Sequence, residues 1–376
     1  MLSTVHQEGC ENMSTLTYKC PSCGAPLEFD GRQQEMTCGS CGNTFDPQTI
    51  AAVNQIDRED AGHEDMHWDM DEQGFTEQEK SQTKSFSCSS CGAQLFTEET
   101  TVATACAFCG SPSVIPTQFT DETRPERIIP FTVQKEKAES LFRNYFKEKK
   151  LIPNLFLRGP NQIDEIRKLY VPYWLFGCDA DARMRYRGTT VSSHRSGQYM
   201  VTTTRHFLIH RAGTLSFHEL PVDASVRLDN KISESLEPFN NREAISFAPH
   251  TLSGAQANRA DMTTEECQER ANARVKSTTD DAFRRTVSGY ASVVPESSSI
   301  KILNGTSLPV LYPVWLITTK KEGKTYTFAI NGQTGEYTCD IPWSKGKFFG
   351  RMFSLGIGLA LIALLALYLL SISKVV

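Results

Sequence analysis

Two stretches with one spacing constrain this chain more than anything else in it. Cys20-Pro-Ser-Cys23 is followed, after fourteen residues, by Cys38-Gly-Ser-Cys41, and Cys88-Ser-Ser-Cys91 is followed at the same interval by Cys106-Ala-Phe-Cys109. Each cysteine of the second set lies 68 positions after its counterpart, and the flanks repeat too: Cys23-Gly-Ala-Pro-Leu27 against Cys91-Gly-Ala-Gln-Leu95. The unit is duplicated. Two CxxC pairs at this separation bring four thiolates to one tetrahedral ion, usually Zn2+. Gly24, Gly42, Gly92 and Gly110 each follow the second cysteine of a pair, where a tight turn needs positive φ. Disulfides or redox CxxC motifs are the competing reading. Four pairs in two matched copies, with no βαβ pattern around them, argue against it. Four cysteines close the coordination shell, so the two expected Zn2+ ions are structural rather than catalytic.

The chain has 376 residues and a formal net charge of -5, which hides an asymmetry. Residues 1–120 carry 5 Lys/Arg against 18 Asp/Glu, and the remainder carries 34 against 26. Each four-thiolate site adds negative charge to the acidic front half. Phosphate binding needs a basic surface, so nucleic acid is disfavoured as a partner of the ribbons and a basic protein surface fits better. Cys10, Cys178, Cys267 and Cys339 are scattered and read as free thiols in a reducing compartment. The polar first residues are not a signal peptide, and translation could start at Met13 instead of Met1.

Taken in order, residues 1–17 read as disordered and 18–48 as ribbon 1, with Tyr18, Leu27, Phe29 and Phe45 as its apolar complement. Residues 49–84 form an acidic linker. Between Asp57 and Glu79 it holds ten acids and one Arg, interrupted by Met66, Trp68, Met70 and Phe75. Such a segment is either a solvated spacer or a short docking peptide with apolar anchors. It also spells His63-Glu64-Asp65-Met66-His67, the HExxH pattern of zinc proteases, but without the apolar helix that would support it.

Ribbon 2 spans 85–115, and Pro116–Pro130 is a connector. The spacing of Ala138, Leu141, Phe142, Tyr145 and Phe146 predicts an amphipathic helix over 134–149. Leu169-Tyr-Val-Pro-Tyr-Trp-Leu-Phe176 opens a strand running on through Asp179–Val191, and Leu311-Tyr-Pro-Val-Trp-Leu-Ile-Thr318 echoes it. Tyr199–His210 and Leu215–Leu220 read as a hairpin turning about Arg211-Ala-Gly-Thr214. Thr263 with Glu266 is a capping-box signature ahead of a stripe of Cys267, Ala271, Val275, Phe283 and Val287. Asn331-Gly332 predicts a hairpin turn with a return strand at Glu336–Ile341. The expected fold is therefore α+β: two N-terminal ribbons, then one domain over 116–345 of antiparallel strands with a few helices. Gly323-Lys324-Thr325 lacks the upstream glycine of a phosphate-binding loop, and His206, His210 and His218 form at most a weak metal candidate. No enzyme is expected.

Met352–Ser373 runs 22 residues without a charge, about 33 Å as a helix, which is enough to cross a bilayer. Lys345, Lys347 and Arg351 precede it and only Lys374 follows. The positive-inside bias then keeps the bulk in the cytoplasm and makes the span a C-terminal anchor in the inner membrane.

With these features the chain resembles a bacterial family of membrane-anchored double zinc-ribbon proteins. The telling pieces are Ile129-Pro-Phe-Thr-Val133, Leu169–Phe176, Tyr312-Pro-Val-Trp-Leu316, Asn331-Gly-Gln-Thr-Gly-Glu336 and the C-terminal span. Such proteins are often labelled transcription-factor-IIB-type zinc ribbons or relatives of the primosomal replication-restart helicase. The helicase activity does not carry over, because this chain has no P-loop and no motor motifs. The resemblance implies eight zinc ligands, a lipid anchor and a partner that is a cytoplasmic or peripheral membrane protein, some such partners being envelope-stress proteins of the phage-shock type. Three functional readings follow: a non-enzymatic scaffold at the membrane, a nucleic-acid-binding protein acting through the ribbons, and a metalloprotease using His63 and His67.

Overall fold

A strand with polar and apolar residues in alternation can leave one face in water. The segments Leu169–Phe176 and Leu311–Ile317 have almost no polar residue to spend on such a face, so both of their faces must be covered. A computed structural model describes residues 18–51, 66–70, 73–101, 103, 105–119, 123–148, 166–321, 324–340 and 344–373. In it every residue from Leu169 to Phe176 and from Val310 to Ile317 is buried.

In chain order the elements are β1 (Leu27–Asp30), β2 (Glu35–Cys38), β3 (Thr44–Phe45), β4 (Asp69–Met70), α1 (Glu77–Ser81), β5 (Thr83–Cys88), β6 (Gln94–Glu98), β7 (Val114–Thr117), β8 (Arg127–Ile128) and α2 (Lys135–Glu148). They continue with β9 (Arg167–Ser196), β10 (Tyr199–Asp223), α3 (Asn230–Ser235), β11 (Ile245–Ser246), β12 (Gln256–Asn258), α4 (Thr264–Arg285), β13 (Ser292–Lys321), β14 (Lys324–Asn331), β15 (Tyr337–Cys339) and α5 (Lys345–Ser373). Two compact units emerge. One comprises 1–67, 178–217 and 272–304; the other comprises 68–177, 218–271 and 305–376.

In the second unit the two echoing segments are neighbours at the centre of a mixed sheet, ordered β11-β8-β13-β9-β12-β6-β5-β7. β12 runs parallel to β9 and β8 parallel to β13, while β14 joins β13 antiparallel over Val314–Lys321. The sheet is thus less uniformly antiparallel than the sequence suggested, because the short strands β8 and β12 enter from remote parts of the chain. The echo has a physical counterpart. Tyr173 and Tyr312 pack against each other, ring centroids 4.6 Å apart and planes tilted by 36°. Trp174 Nε1 donates to Met262 O, and Trp315 Nε1 donates to Val133 O, so each buried indole finds a backbone acceptor. Helix α2 lays Ala138 and Phe142 on Trp315, Ile317 and Phe328, the face that its periodicity predicts.

Three local expectations need correction. No turn occurs at Arg211–Thr214: β10 runs unbroken from Tyr199 to Asp223, and Gly213 lies within it beside the Phe283 ring. The reversal is at Gly197, with φ +62°. Asn331-Gly332 does not make a two-residue turn either. Gly332 is tight because a Cβ would stand 2.6 Å from the Phe131 ring, and the left-handed residue is Gly335. Asn331 instead organises a longer loop, its Oδ1 accepting from Gln333 N and Thr334 N and its Nδ2 donating to Leu236 O.

Third, the described part of the acidic linker is not a solvated spacer. Trp68 is 1% exposed and meets Phe176 edge-on at 4.9 Å. Phe75 packs edge-on against Phe96, Phe119 and Phe247. Between the anchors, Thr76 and Glu79 close a capping box around α1, and Glu79 also holds Arg124 at 2.8 Å. The apolar residues among the acids dock this segment on its own sheet. Residues 1–17, His63, Glu64 and Gly323 lie outside the described residues. The Thr263–Glu266 capping box and the buried stripe of α4 are as expected.

Because burial of Trp68 fills a site rather than decorating a tether, Trp68→Ala should cost about 3–5 kcal/mol in chemical denaturation. A freely solvated linker would show no change in the midpoint.

Candidate metal centres

Each of the four CxxC turns is built by the same pair of backbone bonds. In the first, Gly24 N donates to Cys20 O at 2.8 Å and Cys20 N donates to Ala25 O at 2.7 Å. The bonds recur at Cys38 with Gly42 and Asn43, at Cys88 with Gly92 and Ala93, and at Cys106 with Gly110 and Ser111. The glycine closing each turn has φ between +71° and +75°, the left-handed region that the sequence assigned to it.

These turns converge in pairs. Cys20, Cys23, Cys38 and Cys41 form one group and Cys88, Cys91, Cys106 and Cys109 the other, with all sulfurs of a group within 4.8 Å of one another. The measured approaches are 3.7 Å for Cys20–Cys41, 3.5 Å for Cys23–Cys38, and 3.7 Å for both Cys88–Cys109 and Cys91–Cys106. A disulfide needs about 2.05 Å, so none of these is one. Sulfurs at the corners of a tetrahedron with metal–sulfur bonds of about 2.3 Å stand about 3.8 Å apart. The donor set and its spacing therefore fit one metal ion per group. Backbone N–H groups favour the thiolate at one cysteine of each group, while burial and the neighbouring sulfurs hold Cys23, Cys41, Cys91 and Cys106 above the ordinary thiol value. The N–H groups of Cys41 and Ser40 bring the Cys38 thiol down to about 6. Burial pushes Cys88 up, but the N–H groups of Cys91 and Ser90 outweigh it and leave that thiol at about 7.

The two copies differ in their surroundings. Ribbon 1 is the separate three-stranded sheet β1-β2-β3 over a small core of Leu27, Met36 and Ile50, with Cys23 and Cys41 exposed. Ribbon 2 is part of the large sheet. β6 pairs with β12 through Phe96–Ala257 and Leu95–Asn258, and β7 extends to Thr117 on β5. The Gln256 side chain accepts from Ala107 N and donates to Ala105 O, clamping the last turn. Arg227 donates to Cys91 O at 2.6 Å and Gly92 O at 3.1 Å, which places positive charge beside a thiolate-rich site. Ala107 and Phe108 are buried in the same core as Leu169 and Tyr173. By spacing alone ribbon 2, over 85–115, is set apart from the domain over 116–345. The signal that ties the two together is Cys106-Ala-Phe-Cys109, with an apolar pair where ribbon 1 has Gly-Ser.

Among the described residues no other group of three or more His, Cys, Asp or Glu donors comes together, so His206, His210 and His218 form no metal cluster. Cys178 and Cys267 are buried free thiols, both raised by burial, to about 11 and about 12. One helix among the described residues, α5, is long and apolar enough to cross a membrane. None of its apolar window is buried, which sets it apart from the core helix of a soluble protein.

Two closed four-cysteine clusters on an α+β body, with a candidate C-terminal span, define a double cysteine-ribbon protein. The chain belongs to the family of YdjG from Bacillus subtilis (strain 168), a protein described as uncharacterized, with which it is 33% identical over 332 residues, 88% of this chain and 92% of the relative. No family model and no solved structure matches the chain.

Elemental analysis should find two metal ions per chain, and one in either double Cys→Ser variant. The variants should differ in stability. Cys88→Ser/Cys91→Ser should lower the main unfolding transition, because that site is built into the large sheet. Cys20→Ser/Cys23→Ser should leave this transition in place, as followed by near-ultraviolet circular dichroism.

Proposed function

We propose that this protein is a membrane-anchored zinc-ribbon scaffold that recruits a protein partner to the inner face of the cytoplasmic membrane. The observation that carries the reading is α5, which follows a folded body and keeps Leu359, Leu361, Ile362 and Leu364 exposed. Leucines and isoleucines in such number are stable only against lipid or another protein. The cationic residues Lys345, Lys347 and Arg351 on its leading side favour a cytoplasmic body.

The metals are two structural Zn2+ ions. Four thiolates suit a soft, tetrahedral, redox-inert ion and leave no open position for a substrate. The work of ribbon 1 is then to hold a surface rigid. On that surface Phe29 of β1 is 58% exposed, a large aromatic side chain on a small module. Aromatic residues presented this way are common anchors at protein interfaces. The family resemblance implies a cytoplasmic or peripheral membrane partner, of the phage-shock type in some relatives. The acidic front half of the chain favours such a partner over nucleic acid.

The test is affinity capture of the detergent-solubilised protein from its native cells, beside a Phe29→Ser variant that keeps all eight cysteines. A defined protein partner held by the native chain and reduced at least about tenfold in the variant supports the reading. Recovery of nucleic acid that dissociates as salt is raised would replace it with the nucleic-acid-binding reading.

A further inference from the structure

The hairpin joining β9 to β10 has a feature that neither the metal centres nor the anchor uses. From Val191 to Phe207 every residue is exposed, on both strands and on both faces. A two-stranded ribbon solvated on both sides is marginally stable alone and gains from a surface to lie on. Its cross-strand bonds include Ser193 with Thr202 at 2.9 Å, and Gly197 makes the turn.

Its chemistry is one-sided. Residues 182–217 contain six Arg and three His but no Lys, Asp or Glu. Arg185 and Arg187 are engaged at the base by Glu296. Arg195 and Arg205, nearer the tip, have no carboxylate partner among the described residues. Between them stand Tyr199 and Met200, which are 80% and 68% exposed, with Val201 and Val191 also open to solvent. Apolar and aromatic side chains at a loop tip, flanked by arginines and free of acids, match an interface where hydrocarbon meets anionic phosphate. Tyrosine places its ring in the apolar layer and its hydroxyl in the wet one. Arginine stems cover apolar surface while the guanidinium reaches phosphate oxygens. A nucleic-acid groove would use the arginines but would gain little from exposed Met200 and two valines.

We infer that the tip of the β9–β10 hairpin, with Tyr199 and Met200 entering and Arg195 and Arg205 at the rim, is a second membrane contact that binds anionic lipid headgroups. The inference rests on the membrane reading above, because an anchored chain meets a bilayer continuously. It adds a contact with anionic headgroups beyond that of Lys345, Lys347 and Arg351 beside the span. Each arginine near an anionic surface strengthens the contact, and the attraction is screened by salt.

The experiment is amide hydrogen exchange of the full chain in nanodiscs of phosphatidylcholine alone or with phosphatidylglycerol added. Comigration of the chain with the discs reports the anchor. Exchange in 191–207 reports the hairpin, so the two readings can fail separately. Phosphatidylglycerol should slow exchange of the tip roughly tenfold. The protection should fall in Arg195→Ala/Arg205→Ala and in Tyr199→Ser/Met200→Ser, with protection of Leu169–Phe176 unchanged as the check on folding. Equal tip exchange in both kinds of disc would overturn the inference. So would tip protection produced by duplex DNA or an acidic peptide in phosphatidylcholine discs but not by phosphatidylglycerol.

Discussion

Tyr173 packed on Tyr312 sits where two strand segments without a polar face lie side by side, and the second unit is arranged to cover them. The sheet cannot leave either side of these segments in water, so other parts of the chain are drawn over them. Phe239 stacks on Tyr312 at 4.2 Å. Helix α2 covers Trp315, and ribbon 2 contributes Ala107 and Phe108 to the same core. Polar groups that accompany this coverage are tied down. Asn331 donates to Leu236 O, and Gln333 exchanges bonds with the backbone of Asn240 and reaches Glu243. The polar side chains Asn331 and Gln333 of the Asn331–Glu336 motif therefore clasp the loop to its neighbours.

The same demand explains why two ribbons of one design have diverged. A four-cysteine turn is a self-contained folding device, since metal coordination supplies on the order of 10 kcal/mol that a tiny core cannot. Ribbon 1 keeps a small sheet of its own, with polar turn residues and an exposed aromatic. Ribbon 2 carries Ala107 and Phe108 where ribbon 1 has Gly39 and Ser40, and it is part of the large sheet, with Gln256 and Arg227 bonded to its turns. Two copies of one design thus differ in setting: one forms a small sheet of its own and the other is built into the large sheet.

Much of the local structure was legible in the residues. Helix α2, the capping box at Thr263, the left-handed glycines and the long β9 strand all follow from spacing and local chemistry. So does the buried stripe of α4. The failures share a cause. Gly213 reads as a turn residue because glycine permits one, yet it lies in a strand beside Phe283. Gly332 reads as half of a hairpin turn, yet Phe131 and Pro313 crowd it from parts of the chain that local reading cannot see. Trp68 and Phe75 were visible as apolar anchors among acids, but which surface they would meet was not.

By itself, then, the sequence determined the two four-thiolate sites, the turns that aim the sulfurs, the α+β class and the apolar C-terminal helix. Each of these depends on residues close together in the chain, or on a metal whose geometry admits one arrangement. Tertiary structure alone decided that the two echoing segments are neighbours, that ribbon 2 belongs to the large sheet, and that the linker docks through Trp68. It also decided that 191–207 stands uncovered. These outcomes depend on which distant surfaces meet, and that choice is made by the burial of two-faced apolar strands rather than by any local preference.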